Sequence, residues 1–539
     1  IPGITSRSAG FYHPDYYAET HPTESFNDDF LPSGFVTIEP IKNLIFKTQG
    51  GVQYGYGESE QRELPSFIDY KFFDDPNPYT FVSNSRTLRK TLTNTLEYRF
   101  LLGEAKKHSF NVLLGQESVE NTSKQLDVAT YGQPAEGLTM LRHGNKNKRI
   151  EDQKSVSTFN SYFGRLEYSY NTRYFVDLSV RRDGSSAFGK NNHYGNFWAI
   201  GAMWKLKQEN FLKDVKWLSD LNLRFSTGLS GNALGGYKHI TTVKPDNFYQ
   251  GKTAYTVGTL GNPDLRWERT LTSNVGIDLT MFKGRWDLTF DAYIKNTDDL
   301  LVNVTKAPSV GVASARENLG AIENRGVELR TRVVPISTKQ LQWSISATYA
   351  YNKSKIKQIS NALMSKNEEN RNATGKAPLP IYEEGGSLTA VKVVPSAGID
   401  PATGREVYIK RDGSYTFDYD ARDKVTFGDE SPLGQGSLSS YLTYKQWSAS
   451  ASFGYSFGGV VYNQTLVTRV EGANPKQNAD ERVFNDRWKK PGNYARYRNI
   501  ADYSTPQQTS RFVQVNNYLT LQSLSVAYEF TPWQIRKLG

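Results

Sequence analysis

Hydrophobic and polar positions alternate along most of this chain with a period of two. In residues 341–351, Leu341, Trp343, Ile345, Ala347, Tyr349 and Tyr351 fall on one face, while Gln342, Ser344, Ser346, Thr348 and Ala350 fall on the other. In 285–294, Trp286, Leu288, Phe290, Ala292 and Ile294 oppose Arg285, Asp287, Thr289, Asp291 and Tyr293. In 447–457, Trp447, Ala449, Ala451, Phe453, Tyr455 and Phe457 oppose four serines and a glycine. Successive side chains of a strand point to opposite faces, so each segment reads as a strand with one apolar and one polar side. Fifteen strands follow, near 35–41, 44–56, 86–102, 106–117, 157–170, 173–182, 194–206, 217–229, 266–282, 285–296, 321–335, 340–352, 434–445, 446–460 and 515–530. Many exceed ten residues, against five or six for an ordinary strand, and a strand that crosses a bilayer needs about 9–11.

The connections sharpen this. Short ones, such as Lys42-Asn43, Gly103–Ala105, Asn171-Thr172 and Lys283-Gly284, alternate with long ones. One medium link, 207–215, has room for a short helix. Long loops are expected near 57–85, 118–156, 230–265, 297–320, 353–433 and 461–514. Short turns at one rim and long loops at the other characterise transmembrane β-barrels. The expected fold is therefore all-β: a large antiparallel transmembrane β-barrel, with 1–34 a loop or linker and 35–539 the barrel segment. Outward, lipid-facing positions would be Trp286, Leu288, Phe290, Leu341, Trp343, Ile345, Trp447 and Phe453.

Composition agrees. The 539 residues include 33 Tyr, 28 Phe and 9 Trp, too many aromatics for a disordered chain. Mean hydropathy is −0.59 and no 18-residue apolar run exists, which excludes a helical span but not a barrel. There is no Cys, so disulfide scaffolds and thiolate chemistry are excluded. The net charge of +10 is scattered. Its densest run, Arg142 to Arg149, lies in a polar loop without a nucleic-acid recognition module, so no nucleic-acid partner is expected.

Enzyme chemistry finds little footing. Gly454-Tyr455-Ser456-Phe457-Gly458 matches the nucleophile-elbow pattern, but that elbow needs a strand, a sharp turn and a helix. Ser456 instead falls inside an alternating strand. The six His, at 13, 21, 108, 143, 193 and 239, show no metal-ligand spacing. No enzymatic activity and no cofactor is expected, with one exception: Asp418, Asp420 and Asp423 are clustered carboxylates of the kind calcium takes. Candidates for contact with a transported ligand are the polar-face residues Arg165, Asp177 and Arg181 and the loop aromatics Tyr237, Tyr249, Tyr382 and Tyr415.

Four stretches resemble the SusC/RagA family of TonB-dependent outer-membrane transporters. They are Asp177 to Ser186 with Phe188-Gly189, Asn262 to Thr270, Asn318 to Glu328, and Arg511-Phe512 through Asn517 to Leu524. They occur in family order, each at a strand position that the alternation requires. The resemblance implies a 22-stranded barrel, of which these fifteen strands would be roughly the sixth to the twentieth. It implies a plug acted on by TonB that this chain does not match, and two further strands beyond Trp533 to Gly539. It also implies import of oligosaccharides or oligopeptides together with a SusD-like lipoprotein seated on the long loops. A siderophore receptor of the same fold and a surface β-rich adhesin are the alternatives.

Overall fold

The structure is a computed structural model that describes residues 14–67, 78–103, 105–233, 235–249, 252–306, 308–312, 314–359, 361–373, 377–474 and 479–530. One antiparallel sheet of sixteen strands dominates it. Thr23–Phe30 and Ser33–Ile41 pair end to end with the same neighbour, Leu44–Glu63, so together they occupy one position. The remaining positions follow in chain order: Tyr79–Leu102, His108–Tyr131, Lys146–Tyr170, Tyr174–Ser185, Tyr194–Lys205, Leu218–Asn232, Glu268–Met281, Trp286–Asp298, Ala321–Ser337, Leu341–Gln358, Gly434–Tyr444, Trp447–Phe457 and Tyr518–Tyr528. This is the up-and-down order that the alternation predicts, with every expected strand present.

The short turns adopt left-handed backbone. Asn171 and Thr172 have φ of 50° and 54°, and Phe282, Lys283 and Gly284 have 53°, 62° and 82°. Such conformations match the twist of the strands that a hairpin joins. The link between Lys205 and Leu218 does hold a short helix, Asn210–Lys213. The Lys207 ammonium donates to the carbonyls of Leu212, Lys213 and Val215 at its end. Aromatics gather at this rim. Tyr170, Tyr174 and Trp204 stack in series, with centroids 6.3 and 6.1 Å apart. The Glu209 carboxylate accepts from Tyr174 (2.5 Å), Trp204 (2.9 Å) and Arg173 (2.9 Å).

Register places all eight predicted lipid-facing residues on one face. Phe290 stands between Ile277 and Leu329, and Leu438, opposite Phe453, stands opposite Ala347 on its other side. The opposite face carries Arg224, Asp278, Thr289, Arg330 and Thr348 in cross-strand rows.

Three expectations are corrected. Residues 23–34 are not a loop or linker: Pro14–Thr20 is a helix, and paired strand begins at Thr23. The segments 57–85 and 118–156 are not mainly loop. Their flanking strands run 20, 24, 24 and 25 residues, about twice the length of Gly434–Tyr444 or Trp447–Phe457. The connections shrink to 64–78 and 132–145. These long strands rise past the apolar band, where both faces meet water and alternation has no reason to persist. Pairing continues through backbone bonds and polar side-chain ladders such as Asn94–Gln116–Asn160, at 3.0 and 3.1 Å.

The other long loops carry structure of their own. Thr242–Tyr249 pairs with Lys252–Thr259, and Leu301–Thr305 with Ser314–Asn318. The segments 353–433 and 461–514 fold together and contain the largest buried core among the described residues.

Candidate functional site

The inner face of the sheet is lined by charges that are already paired. Arg165 binds Asp177 through Nε at 2.8 Å and reaches Glu167 at 2.6 Å. Arg181 binds Asp183 (2.6 Å) and Glu117 (3.2 Å) and lies 5.2 Å from the centre of the Phe163 ring. Arg224 joins Asp278 (2.7 Å) to Asp291 (3.1 Å), and Asn274 donates to Asp291. The predicted contacts Arg165, Asp177 and Arg181 are thus brought together on one wall. Each of these arginines is bridged to two carboxylates, so the wall is polar, internally paired and richer in carboxylate than in guanidinium. Farther round, a concavity of about 800 Å³ is lined by Asp291, Glu328, Arg330, Gln435, Tyr455 and Tyr518. It offers both charge signs, amides and aromatic faces to a polar ligand.

Above the long-loop rim, 353–433 and 461–514 interlock into one cap. Ala390–Val393 pairs with Val425–Asp429, and Val460–Tyr462 with Val513–Val515. Between them Val391, Val393, Leu466, Val467, Val470, Val483 and Phe512 form a dry core. Against this core sits a buried ion network. Arg511 forks onto Glu406 at 2.8 and 2.6 Å and also reaches Glu471 at 2.9 Å. Arg498 binds Glu471 (2.7 Å) and Asp502 (2.8 Å). Arg487 donates to the carbonyls of Val470, Glu471 and Arg498. The carboxylates of Glu406 and Glu471 hold the Arg511 guanidinium above its ordinary pKa, despite burial that opposes charge. The Arg511–Glu406 pair joins residues 105 positions apart, one in each loop, so the cap is one folded body, not two loops side by side.

The motif residues have structural work at the same rim. Phe188 and Leu265 are fully buried, and Phe188 stacks on Trp267 with centroids 4.9 Å apart. A side chain at Gly189 would strike the Pro263 carbonyl, since an added Cβ would lie 2.3 Å from it. Asn318 clamps the backbone of Arg266, accepting from its N–H and donating to its C=O, each at 2.8 Å. Glu323 is nearly buried and pairs with Arg325 (2.7 Å) and Lys357 (2.8 Å). These motifs bind loops to strand ends.

The remaining candidates separate. Tyr237 pins its loop by donating to the Val156 carbonyl and approaching Ser186. The side chain of Tyr249 lies outside the described residues. Tyr382 is tied through its backbone to the Asn367 amide, which fixes the helix Asn361–Asn372 to the cap. Tyr415 is 71% exposed and free to contact a ligand or partner. The calcium candidates Asp418, Asp420 and Asp423 lie in one short stretch of the cap. Asp420 caps the turn Ala421–Asp423 and is held down to about 2 by the Arg422 guanidinium and N–H. Asp423 accepts from the Arg411 N–H. No group of three or more His, Asp or Glu among the described residues is placed to hold a metal ion. Ser456 is buried inside its strand opposite Gln435 and Tyr518, with no elbow. Sequence reasoning missed Glu406, Glu471, Arg487 and Arg498; only Arg511 stood out, within a motif.

A family sequence model described as "TonB dependent receptor-like, beta-barrel" matches residues 4–537. TonB-dependent receptor SusC of Bacteroides thetaiotaomicron is 30% identical over 374 residues, which cover 65% of this chain and 37% of that protein. TonB-dependent receptor P39 of Formosa agariphila is 28% identical over 427 residues, 71% of this chain and 41% of the relative. The solved structure of the RagAB peptide transporter superposes with a TM-score of 0.86 at 26% identity, over 98% of this chain and 58% of that one. The chain thus spans about two-fifths of the length of these curated relatives. Sheet, motifs and matches agree: the chain belongs to the β-barrel family of TonB-dependent receptors and is an outer-membrane barrel similar to those of SusC and RagA.

Proposed function

We propose that this barrel imports oligomeric nutrients, glycan or peptide, across the outer membrane with a SusD-like surface lipoprotein as its lid and TonB as its energy source. The observation that carries this reading is the two-loop cap. A rim that only bounded an open pore would gain nothing from a hydrophobic core and a buried three-arginine network. Ordering so much chain has a large entropic cost, and a rigid cap supplies a preformed docking platform, which lowers the cost of association. The exposed aromatics Tyr494 and Tyr503, 93% and 80% accessible, stand on the same body and are of the type that anchors protein interfaces. The paired, polar lumen wall suits a hydrated oligomer better than a small ion-chelating ligand, which would call for concentrated charge. The RagAB neighbour is a peptide transporter, which supports the peptide branch.

The test is uptake by cells that express the whole receptor, with fluorescent oligosaccharides and oligopeptides offered in parallel. TonB- and proton-motive-force-dependent uptake of one oligomer class is the expected result. Uptake of ferric siderophores alone would refute the reading.

A further inference from the structure

The four long strands carry an unbalanced row of cations on the outward face. Cross-strand register sets Arg86 opposite Lys124, and Lys124 opposite Lys154. Each lies sixteen residues up its strand from the periplasmic end at Leu102, His108 or Tyr170. Parity puts them on the same face as Leu114, Leu96 and Leu166, the lipid side, opposite to Arg165 and Leu113. Adjacent strands are about 4.8 Å apart, so the three backbones span about 10 Å. All three side chains are exposed. Like charges directly opposite one another destabilise a sheet. Two rows lower, Lys90 meets Glu120 at 3.1 Å, whereas Arg86, Lys124 and Lys154 form no ion pair among the described residues. Arg86 only overlies the Tyr56 ring, at 5.9 Å. One acid, Asp28, lies in the same row, two strands from Arg86 beyond Tyr56; Glu58 and Asp152 sit one row higher at its two ends, and Glu58 already accepts from Tyr56.

Height identifies the occupant. Exposed apolar side chains continue up the outward face past the Asn94–Gln116–Asn160 ladder to Leu92, Val52 and Tyr54, the last opposite Leu88, two residues below Arg86. At about 3.3 Å per residue and a tilt near 40°, the cations stand about 5 Å above the level of Tyr54 and about 15 Å above that of Leu92. On the outer face of an outer membrane this level is the saccharide layer of the anionic glycolipid, where phosphates are attached to sugars. A row of three cations about 5 Å apart presents donors to phosphate oxygens at that level.

We propose that Arg86, Lys124 and Lys154 form a phosphate-binding ridge for the phosphorylated sugar core of lipopolysaccharide, fixing the projecting wall in the leaflet around it. The ridge acts on lipid, independently of cargo and lid.

The experiment uses the full-length receptor, purified in detergent and stripped of lipid. It is titrated with purified lipopolysaccharide, with the same glycolipid after dephosphorylation, and with inorganic phosphate, each read by native mass spectrometry. Each cation near an anionic membrane surface contributes roughly five-fold, so the triple variant R86E/K124E/K154E should lose on the order of 100-fold in lipopolysaccharide affinity. Dephosphorylation should cause a similar loss in the wild type. A triple control of equal charge change at the opposite rim, K106E/K283E/K339E, should bind as the wild type does. Heat-modifiable gel migration reports folding. If the triple variant fails to fold, Lys124→Ser carries the test with a loss of roughly five-fold. Unchanged binding by the variants, binding indifferent to dephosphorylation, or equal affinity for inorganic phosphate alone would each overturn the proposal. So would loss of a co-purifying protein with glycolipid binding intact, since the face would then serve a protein contact.

Discussion

Single side chains test both the register and the cap. Phe290 lies on the lipid face between Ile277 and Leu329, whereas Thr289 points inward opposite Asp278 and Arg330. Phe290→Arg should cost about 2–4 kcal/mol if the residue sits near the midplane, and Thr289→Arg far less. Equal costs in denaturant titrations of the folded barrel in liposomes would mean that the register is wrong. In the cap, Arg511→Ala would strand the Glu406 carboxylate, which is 2% exposed, and leave the buried Glu471 to Arg498 alone. Breaking a buried pair in this way costs about 3–5 kcal/mol. The expected result is faster hydrogen exchange across 390–430 and 460–515 with the barrel strands unaffected. Lys424 gives a pH signature. It is buried, donates to the Arg371 carbonyl at 2.7 Å, and burial lowers it to about 8. An unfolded lysine titrates near 10.4, so between about 8 and 10 the unfolded state holds more protons. Cap stability should therefore rise as pH climbs through this window. Lys424→Met should flatten that dependence, and a fall in wild-type cap protection over the same window, corrected for intrinsic exchange, would contradict the assignment.

At the scale of elements, alternation was legible wherever one face met lipid and the other met water. Trp286–Asp298 and Trp447–Phe457 could be read almost to the residue for that reason. It faded where both faces met water, so the upper halves of Leu44–Glu63, Tyr79–Leu102, His108–Tyr131 and Lys146–Tyr170 looked like loop. Backbone amides in 57–63, 79–87, 119–131 and 148–156 should nonetheless exchange slowly, because each faces a ladder partner. Exchange at loop rates there would restore the loop reading. The cap was illegible for another reason. Glu406 and Arg511 are 105 residues apart, and no local pattern marks a pair that only folding brings together. The motifs, by contrast, were visible as sequence, but their packing work was not: Phe188, Trp267 and Asn318 seal loops onto strands.

At the scale of the whole molecule, the proposed import reading assigns a part to each of three features: the paired lumen would keep a hydrated path, the tall wall would meet the leaflet, and the two-loop cap would be the platform for a lid. The most direct measurement is affinity isolation of the whole receptor from its native outer membrane, as wild type and as Arg511→Ala, with retained partners identified by mass spectrometry and barrel folding checked by heat-modifiable migration. The account predicts that a SusD-like lipoprotein is retained stoichiometrically by the wild type and is lost or strongly reduced in the variant, whose barrel remains folded. Equal retention by a variant whose cap has demonstrably loosened, or a wild-type receptor that retains no such lipoprotein, would contradict it.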